Sequence, residues 1–285
     1  MSVTESRTPF NSSLRWNAIQ RIARQQARDS LLGWSLYLAA AIAVLIAVIL
    51  VYNSIRFVGE SGLNIVLRPF FLPLQAALSL ALLYITAEAA LAIARPREQG
   101  ALQVLFFAPI DIPVLVGGFF LAGLLVYVLF LLLIVPVLLI LAWITNFVVP
   151  TGLLWGLVPT IFIAGVTIAF GLFISAAAPS ARSAVLLLVA AILILLVIQG
   201  AYAALLSIPP TNRFYDALLF LRVFLGSIQG LLSWVSPFRM LDIVLAAALR
   251  GDWLNVLQLV GIAIIGTLFW LAASVWAMRQ RGVLP

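Results

Sequence analysis

Residues 112–144 read IPVLVGGFFLAGLLVYVLFLLLIVPVLLILAWI, 33 consecutive positions without a charged side chain. A helix of that length extends about 50 Å, and about 20 apolar residues are enough to cross the hydrocarbon core of a bilayer. The stretch therefore reads as a membrane span, longer than it needs to be, with Pro136 as the expected site of a kink. Working outward, comparable apolar runs occupy residues 33–55, 70–94, 153–177, 184–208 and 253–278. Only Glu88 interrupts the second of these. The fold class expected is an all-α integral membrane protein with six transmembrane helices.

Composition agrees. The chain has 285 residues, 65% hydrophobic and 9% charged, with mean hydropathy +1.22. Soluble domains carry about 45–50% apolar and about 25% charged residues, so a water-soluble globule is excluded. All 16 basic residues are Arg, and Lys, His and Cys are absent. Without Lys there is no P-loop lysine and no Schiff-base chemistry. Without His or Cys the common zinc, haem, copper and iron–sulfur ligand sets are missing, as are Ser-His-Asp and Cys-His nucleophiles. The nine acidic residues leave room for an acid-only membrane enzyme, but no pair of aspartates falls inside a span. The chain is expected to be no enzyme, to hold no cofactor or metal of its own, and to bind no nucleic acid.

Residues 1–32 do not read as a cleavable signal, which would need a short basic start, an apolar core and a small-residue cleavage site. Leu14, Ile19 and Ile22 alternate instead with Arg15, Arg21, Arg24 and Arg28 in an amphipathic pattern, and Trp16 favours the headgroup level. A helix lying on the cytoplasmic leaflet is expected, with a solvated basic tail as the alternative. Six spans put both termini on one side. Counting arginines with the N-terminus inside gives ten on the inner side (Arg7, Arg15, Arg21, Arg24, Arg28, Arg95, Arg97, Arg182, Arg279 and Arg281) and six outside. The positive-inside rule thus places both termini in the cytoplasm of a cell-membrane protein.

Residues 209–252 are less regular. Pro209-Pro210 precede an apolar stretch, Ser236-Pro237-Phe238 follow it, and a second apolar stretch leads to Gly251-Asp252. Each stretch is short for a crossing, so a re-entrant or interfacial helix pair outside the cytoplasm is expected. A seventh span at 217–235 is the rival, and it would put Arg279 and Arg281 outside, against the arginine bias. Gly226 and Gly230 have the spacing of close helix packing, expected within this pair, and Gly117, Gly118 and Gly123 offer the same on the third span. Arg213, Arg222 and Arg239 could attract an anionic headgroup or glycan, but with Asp216 and Asp242 beside them local ion pairs are expected.

Between the second and third spans, residues 95–111 read RPREQGALQVLFFAPID. Charges and Gly100 at the start, Leu102, Leu105 and Phe106 at helical spacing, and Pro109 as a stop predict a short cytoplasmic helix over 97–109. The plain alternative is an interhelical loop with a buried apolar edge. The run Arg97-Glu98-x-Gly100-x-Leu102-x-x-Leu105-x-x-x-Pro109 resembles the signature loop of ABC-2-type (type-2 ABC exporter) transporter permeases. Ala101 stands where that family commonly has Thr, Gln103 where it has Glu, and Phe106 where it has Leu. The N-terminal helix, the six spans and the broken segment before the last span also resemble the family's layout.

That resemblance implies the transmembrane subunit of an ATP-driven transporter, most often an exporter. A second permease copy or homologue would pair with it in the lipid bilayer, and separate ABC ATPase subunits would bind ATP and Mg. Arg97, Glu98, Gly100, Leu102, Leu105 and Pro109 would belong to the coupling helix that sits in the ATPase. The interfacial helix with Trp16, Arg21, Arg24 and Arg28 would be a second contact. A largely aliphatic and aromatic interior favours hydrophobic or amphipathic cargo. The alternative is a self-contained secondary transporter or channel with Glu88 on the ion or substrate path, since intramembrane acids are functional candidates by default. Glu88 can also be explained by pairing with a nearby arginine or by facing a wet vestibule.

Overall fold

The computed structural model describes residues 12–61, 70–100, 111–208 and 215–280, all helices and short connections, with no strand among the described residues. Helix α1 (Ser12–Leu32) leads through Gly33 into α2 (Trp34–Ser61). Helix α3 (Phe71–Ala92) breaks at Ile93 and resumes as the short α4 (Ala94–Glu98). There follow α5 (Ile112–Thr145), the short α6 (Thr151–Trp155), α7 (Leu157–Ala177) and α8 (Ala181–Leu206). A helical hairpin, α9 (Tyr215–Val235) and α10 (Pro237–Arg250), precedes the last helix, α11 (Trp253–Gln280).

Six segments among the described residues are long and apolar enough to cross a membrane: Trp34–Arg56, Phe71–Glu98, Ile112–Thr145, Thr151–Ala177, Ala181–Leu206 and Trp253–Gln280. They are the six expected from sequence, in a multi-pass membrane protein. Pro136 does not end α5, which is helical to Thr145 and stops where Asn146 turns left-handed at φ 55°. Helix α8 starts three residues earlier than expected. A reciprocal cap holds its first turn: Ser180 Oγ accepts from the Ser183 N–H at 3.3 Å, and Ser183 Oγ from the Ser180 N–H at 3.1 Å. Within α9, the residues whose side chains are described, 218–230, form an apolar run. Gly251 closes α10 at φ 76°, and the Asp252 carboxylate then accepts from the Asn255 side chain at 2.8 Å as α11 begins.

Helix α7 is the axis of the bundle, packed on α11, α3 and α5. Ile163, Ala164, Ile168, Ala169, Leu172 and Ala176 bury it on several sides. Lipid tails are as apolar as the helices, so the hydrophobic effect does not by itself drive span against span; close contact does, and small residues permit it. On α2 the buried stripe is Ala39, Ala40, Ala43 and Ala47, in one cluster with Leu78, Ala81 and Leu82 of α3. In the interior, the Tyr127 hydroxyl on α5 donates to Thr160 Oγ1 on α7 at 2.9 Å. Helix α8 is the opposite of α7. Only Ala184 and Leu188 are buried, while Val185, Leu186, Leu193, Ile194 and Val197 are exposed.

The glycines of α5 serve close packing, and toward two different partners. Gly117 and Gly118 receive Ile19 and Ile22 of α1, and Gly123 receives Ile168 of α7. A Cβ on Gly118 would stand 2.8 Å from Ile22 Cγ2, and a β-branched side chain in a helix has little rotamer freedom to yield. Gly118→Ala should therefore destabilise the protein by about 1–3 kcal/mol. Gly200→Ala, in open space on α8, should be neutral or stabilise by about 0.5–1 kcal/mol. Unfolding titrations of the two purified variants in mixed micelles would show the difference; equal midpoints would remove Gly118 as the seat of α1.

Candidate functional site

The stretch that stood out in the sequence begins where α3 fails. Proline lacks an N–H and its ring abuts the carbonyl four residues earlier. Pro96 thus sets the limit at Ala92, where α3 ends. The N–H groups of Ile93 and Ala94 turn instead to one acceptor, Ser175 Oγ on α7, at 3.0 and 2.9 Å. Ser175 is fully buried, and the two lone pairs of its hydroxyl match the two donors. Nothing in the sequence singled out Ser175. Its only signal was a lone hydroxyl in the apolar run Ile174-Ser175-Ala176.

The next two side chains close the junction. Arg97 Nη1 donates to the carbonyls of Ala178 and Ala176, at 2.7 and 3.3 Å, where α7 ends. Glu98 Oε2 accepts from the Ala181 N–H at 3.1 Å, where α8 begins. A helix C-terminus carries partial negative charge and an N-terminus partial positive charge. Arg97 and Glu98, adjacent and opposite in charge, thus complement two helix ends of opposite polarity, and the elbow between α7 and α8 is clasped to the end of α3 and α4. Each contact also satisfies a backbone group that a helix terminus otherwise leaves without a partner.

The helix expected over 97–109 does not run unbroken from Arg97. Helix α4 stops at Glu98, the Gln99 and Gly100 N–H groups return to the carbonyls of Arg95 and Arg97, and Gly100 takes φ 71°. That left-handed turn is one glycine adopts without strain. Leu102, Leu105 and Pro109 lie outside the described residues, as do Ala101, Gln103 and Phe106.

Helix α1 docks on the first half of α5. Ala23 and Ala27 are buried, Arg21, Arg24 and Arg28 are exposed, and Trp16 is 54% exposed. The amphipathic reading of this segment thus becomes a packed face and a basic one. Glu88 lies four residues, about 6 Å, from the end of α3. It opens on a crevice of about 30 Å³ shared with Gln26 and Ser30 of α1 and Phe119 and Gly123 of α5, room enough for a water. Glu88 reaches neither of the two larger cavities described next.

Both larger cavities adjoin the hairpin. One, of about 440 Å³, lies between α3, α8, α9 and α10, at the end of the bundle remote from the clasp. The other, of about 90 Å³, is apolar and lies deeper, between α3, α7, α8, α11 and the hairpin tip. The far end of α10 rests on α6, where a Cβ on Gly152 would lie 2.6 Å from the Ala248 carbonyl oxygen. Among the described residues Asp242 pairs with an amide. Its Oδ1 accepts from Gln75 Nε2 of α3 at 3.2 Å, and Arg239 is exposed. Gly226 packs on the Tyr202 ring of α8 rather than on α10, and a Cβ on Gly230 would meet nothing within 4 Å. No protein-family model matches this sequence, and no curated protein matches it either.

Proposed function

We propose that this chain is the permease subunit of an ABC-2-type transporter in the cell membrane, exporting a hydrophobic or amphipathic substrate. Two permeases, identical or homologous, pair in the bilayer, and separate ATPase subunits bind ATP and Mg on the cytoplasmic side. Both termini lie on that side, α1 presents its arginines to the leaflet and the ATPase, and the α9–α10 hairpin re-enters from outside.

The observation that carries this reading is the clasp. The segment after Arg97 is the part of the chain a cytoplasmic motor would push. Through Arg97, Glu98 and Ser175 it is fastened to three spans at once, α3, α7 and α8. A displacement applied there moves those spans as one body, and at the far end Gln75 and Asp242 carry it from α3 to the hairpin. The lack of lysine in these 285 residues supports the division of labour, because they hold no P-loop of their own.

The test is purification of the tagged chain from its native membranes in mild detergent, with mass spectrometry of what accompanies it. A stoichiometric ATPase is expected, released by deletion of residues 14–32 or by changes in residues 101–109. Glu98→Ala, which removes the acceptor for the Ala181 N–H, acts differently on this reading. The ATPase remains bound, but substrate-stimulated ATP hydrolysis falls by about tenfold, because the elbow no longer follows the loop. A chain that arrives alone and moves solute without ATP would sink the proposal and turn attention to Glu88.

A further inference from the structure

The cavity of about 440 Å³ is unlike the rest of this membrane protein. Gln75, Gln199, Tyr202, Gln229, Arg239 and Asp242 line it. Apart from the bond between Gln75 and Asp242, these side chains make no hydrogen bond among the described residues. The Gln229 amide oxygen is buried and has no partner. Polar groups that converge on a concavity without being committed to the fold mark a candidate ligand site, and the volume lies in the range of small-molecule sites, about 300–1,000 Å³.

The donor set says what would fit. One arginine and one carboxylate cancel, so the cavity selects neither a strong anion nor a strong cation. Three amides and a phenol both donate and accept, and so does a hydroxyl group. The rings of Tyr202 and Phe238 add apolar faces of the kind that pack against the C–H faces of a sugar. Phe238 also borders the deeper cavity, whose walls include Leu83, Thr86, Phe170, Leu188, Ile192 and Trp270. Between the two cavities α10 begins without a side-chain cap, and the buried Ser236 hydroxyl has no hydrogen-bond partner. A helix N-terminus favours an acceptor oxygen.

We infer that the hairpin and spans α3 and α8 form a binding site for an amphiphile with an uncharged, polyhydroxylated headgroup. The headgroup occupies the polar cavity, an acceptor oxygen such as an ester carbonyl meets the start of α10, and the first part of an acyl chain enters the apolar cavity. The site goes beyond the transport reading, because binding there requires no ATPase and is measured without one.

The experiment uses the full-length chain in an amine-oxide detergent, which carries no sugar. Native mass spectrometry follows titration with a digalactosyl diacylglycerol, the matching diacylglycerol, a phosphatidylglycerol and free galactobiose. One glycolipid per chain is expected, held at least tenfold more tightly than the diacylglycerol or the phosphatidylglycerol. Gln199→Leu combined with Gln229→Leu should weaken it at least tenfold. So should Gly230→Leu, which fills the polar cavity without removing a polar group. Free galactobiose bound as tightly as the glycolipid would assign the site to a soluble saccharide, and weaker binding of the disaccharide assigns it to the lipid. Equal affinity for all three lipids, or glycolipid binding within twofold of wild type in Gly230→Leu, would overturn the inference.

Discussion

Ser175→Ala is expected to lower the stability of the folded chain by about 2–4 kcal/mol, although it removes a single oxygen. The hydroxyl accepts from two buried backbone N–H groups, those of Ile93 and Ala94. Leaving a buried donor unsatisfied costs about 1–3 kcal/mol. Ser274 supplies the control. It is equally buried, but its hydroxyl only donates to the Trp270 carbonyl one turn back on α11. Ser274→Ala deletes a donor whose acceptor retains its backbone bond, so about 1 kcal/mol or less is expected. Unfolding of both variants against the fraction of denaturing detergent in mixed micelles measures the contrast. Equal costs would mean that Ser175 does not hold the break in α3.

Sequence and structure agree where the physics is local or one-dimensional. An uncharged run of 33 residues has few ways to exist, and six such runs give the span count and the approximate ends. Turn chemistry was also legible. Gly251-Asp252 stops one helix and starts the next, and the glycines of α5 admit close neighbours. What could not be read was partnership. The Arg97-Glu98 pair stood out as polar residues in a short loop, and its spacing suggested an outward-facing role. The structure turns both side chains to the ends of α7 and α8, some 80 residues later. Periodicity cannot announce that, because backbone carbonyls and N–H groups at helix ends carry no residue code. Ser175 and Gln75 were silent for the same reason. Their partners lie 82 and 167 positions away.

The polar cavity was hidden differently. Gln75, Gln199 and Gln229 lie on three separate helices, each an isolated amide in an apolar context, and isolated amides in spans are unremarkable. Only the hairpin's dip between α3 and α8 gathers them. Glu88, the one charge within an apolar run, was legible as a candidate, and what the sequence did not show is the crevice it shares with α1 and α5.

Gly171 is the position where the largest loss is expected. It lies on α7 one turn before Ser175, at the closest approach of α7 to α3. An added Cβ would stand 2.7 Å from the Thr86 carbonyl oxygen, 2.8 Å from Ala89 Cβ and 3.2 Å from the Ala90 nitrogen. Two of those three atoms are backbone, so no rotamer change relieves the contact and the helices must separate. Gly171→Ala gains about 1 kcal/mol of helix propensity yet should still destabilise by about 1–3 kcal/mol through overpacking. Gly171→Leu goes further. Separating α3 from α7 there draws Ser175 away from Ile93 and Ala94 and pulls the ends of α7 and α8 from Arg97 and Glu98, so the clasp opens as the core loosens. The expected result is a chain that inserts but elutes as aggregate on size-exclusion chromatography. Gly261→Leu on α11, where a Cβ meets nothing within 4 Å, should elute as wild type does. If the two leucine variants behave alike, the approach of α3 to α7 does not depend on glycine, and the route proposed for force from the Arg97 segment into the bundle loses its rigid support.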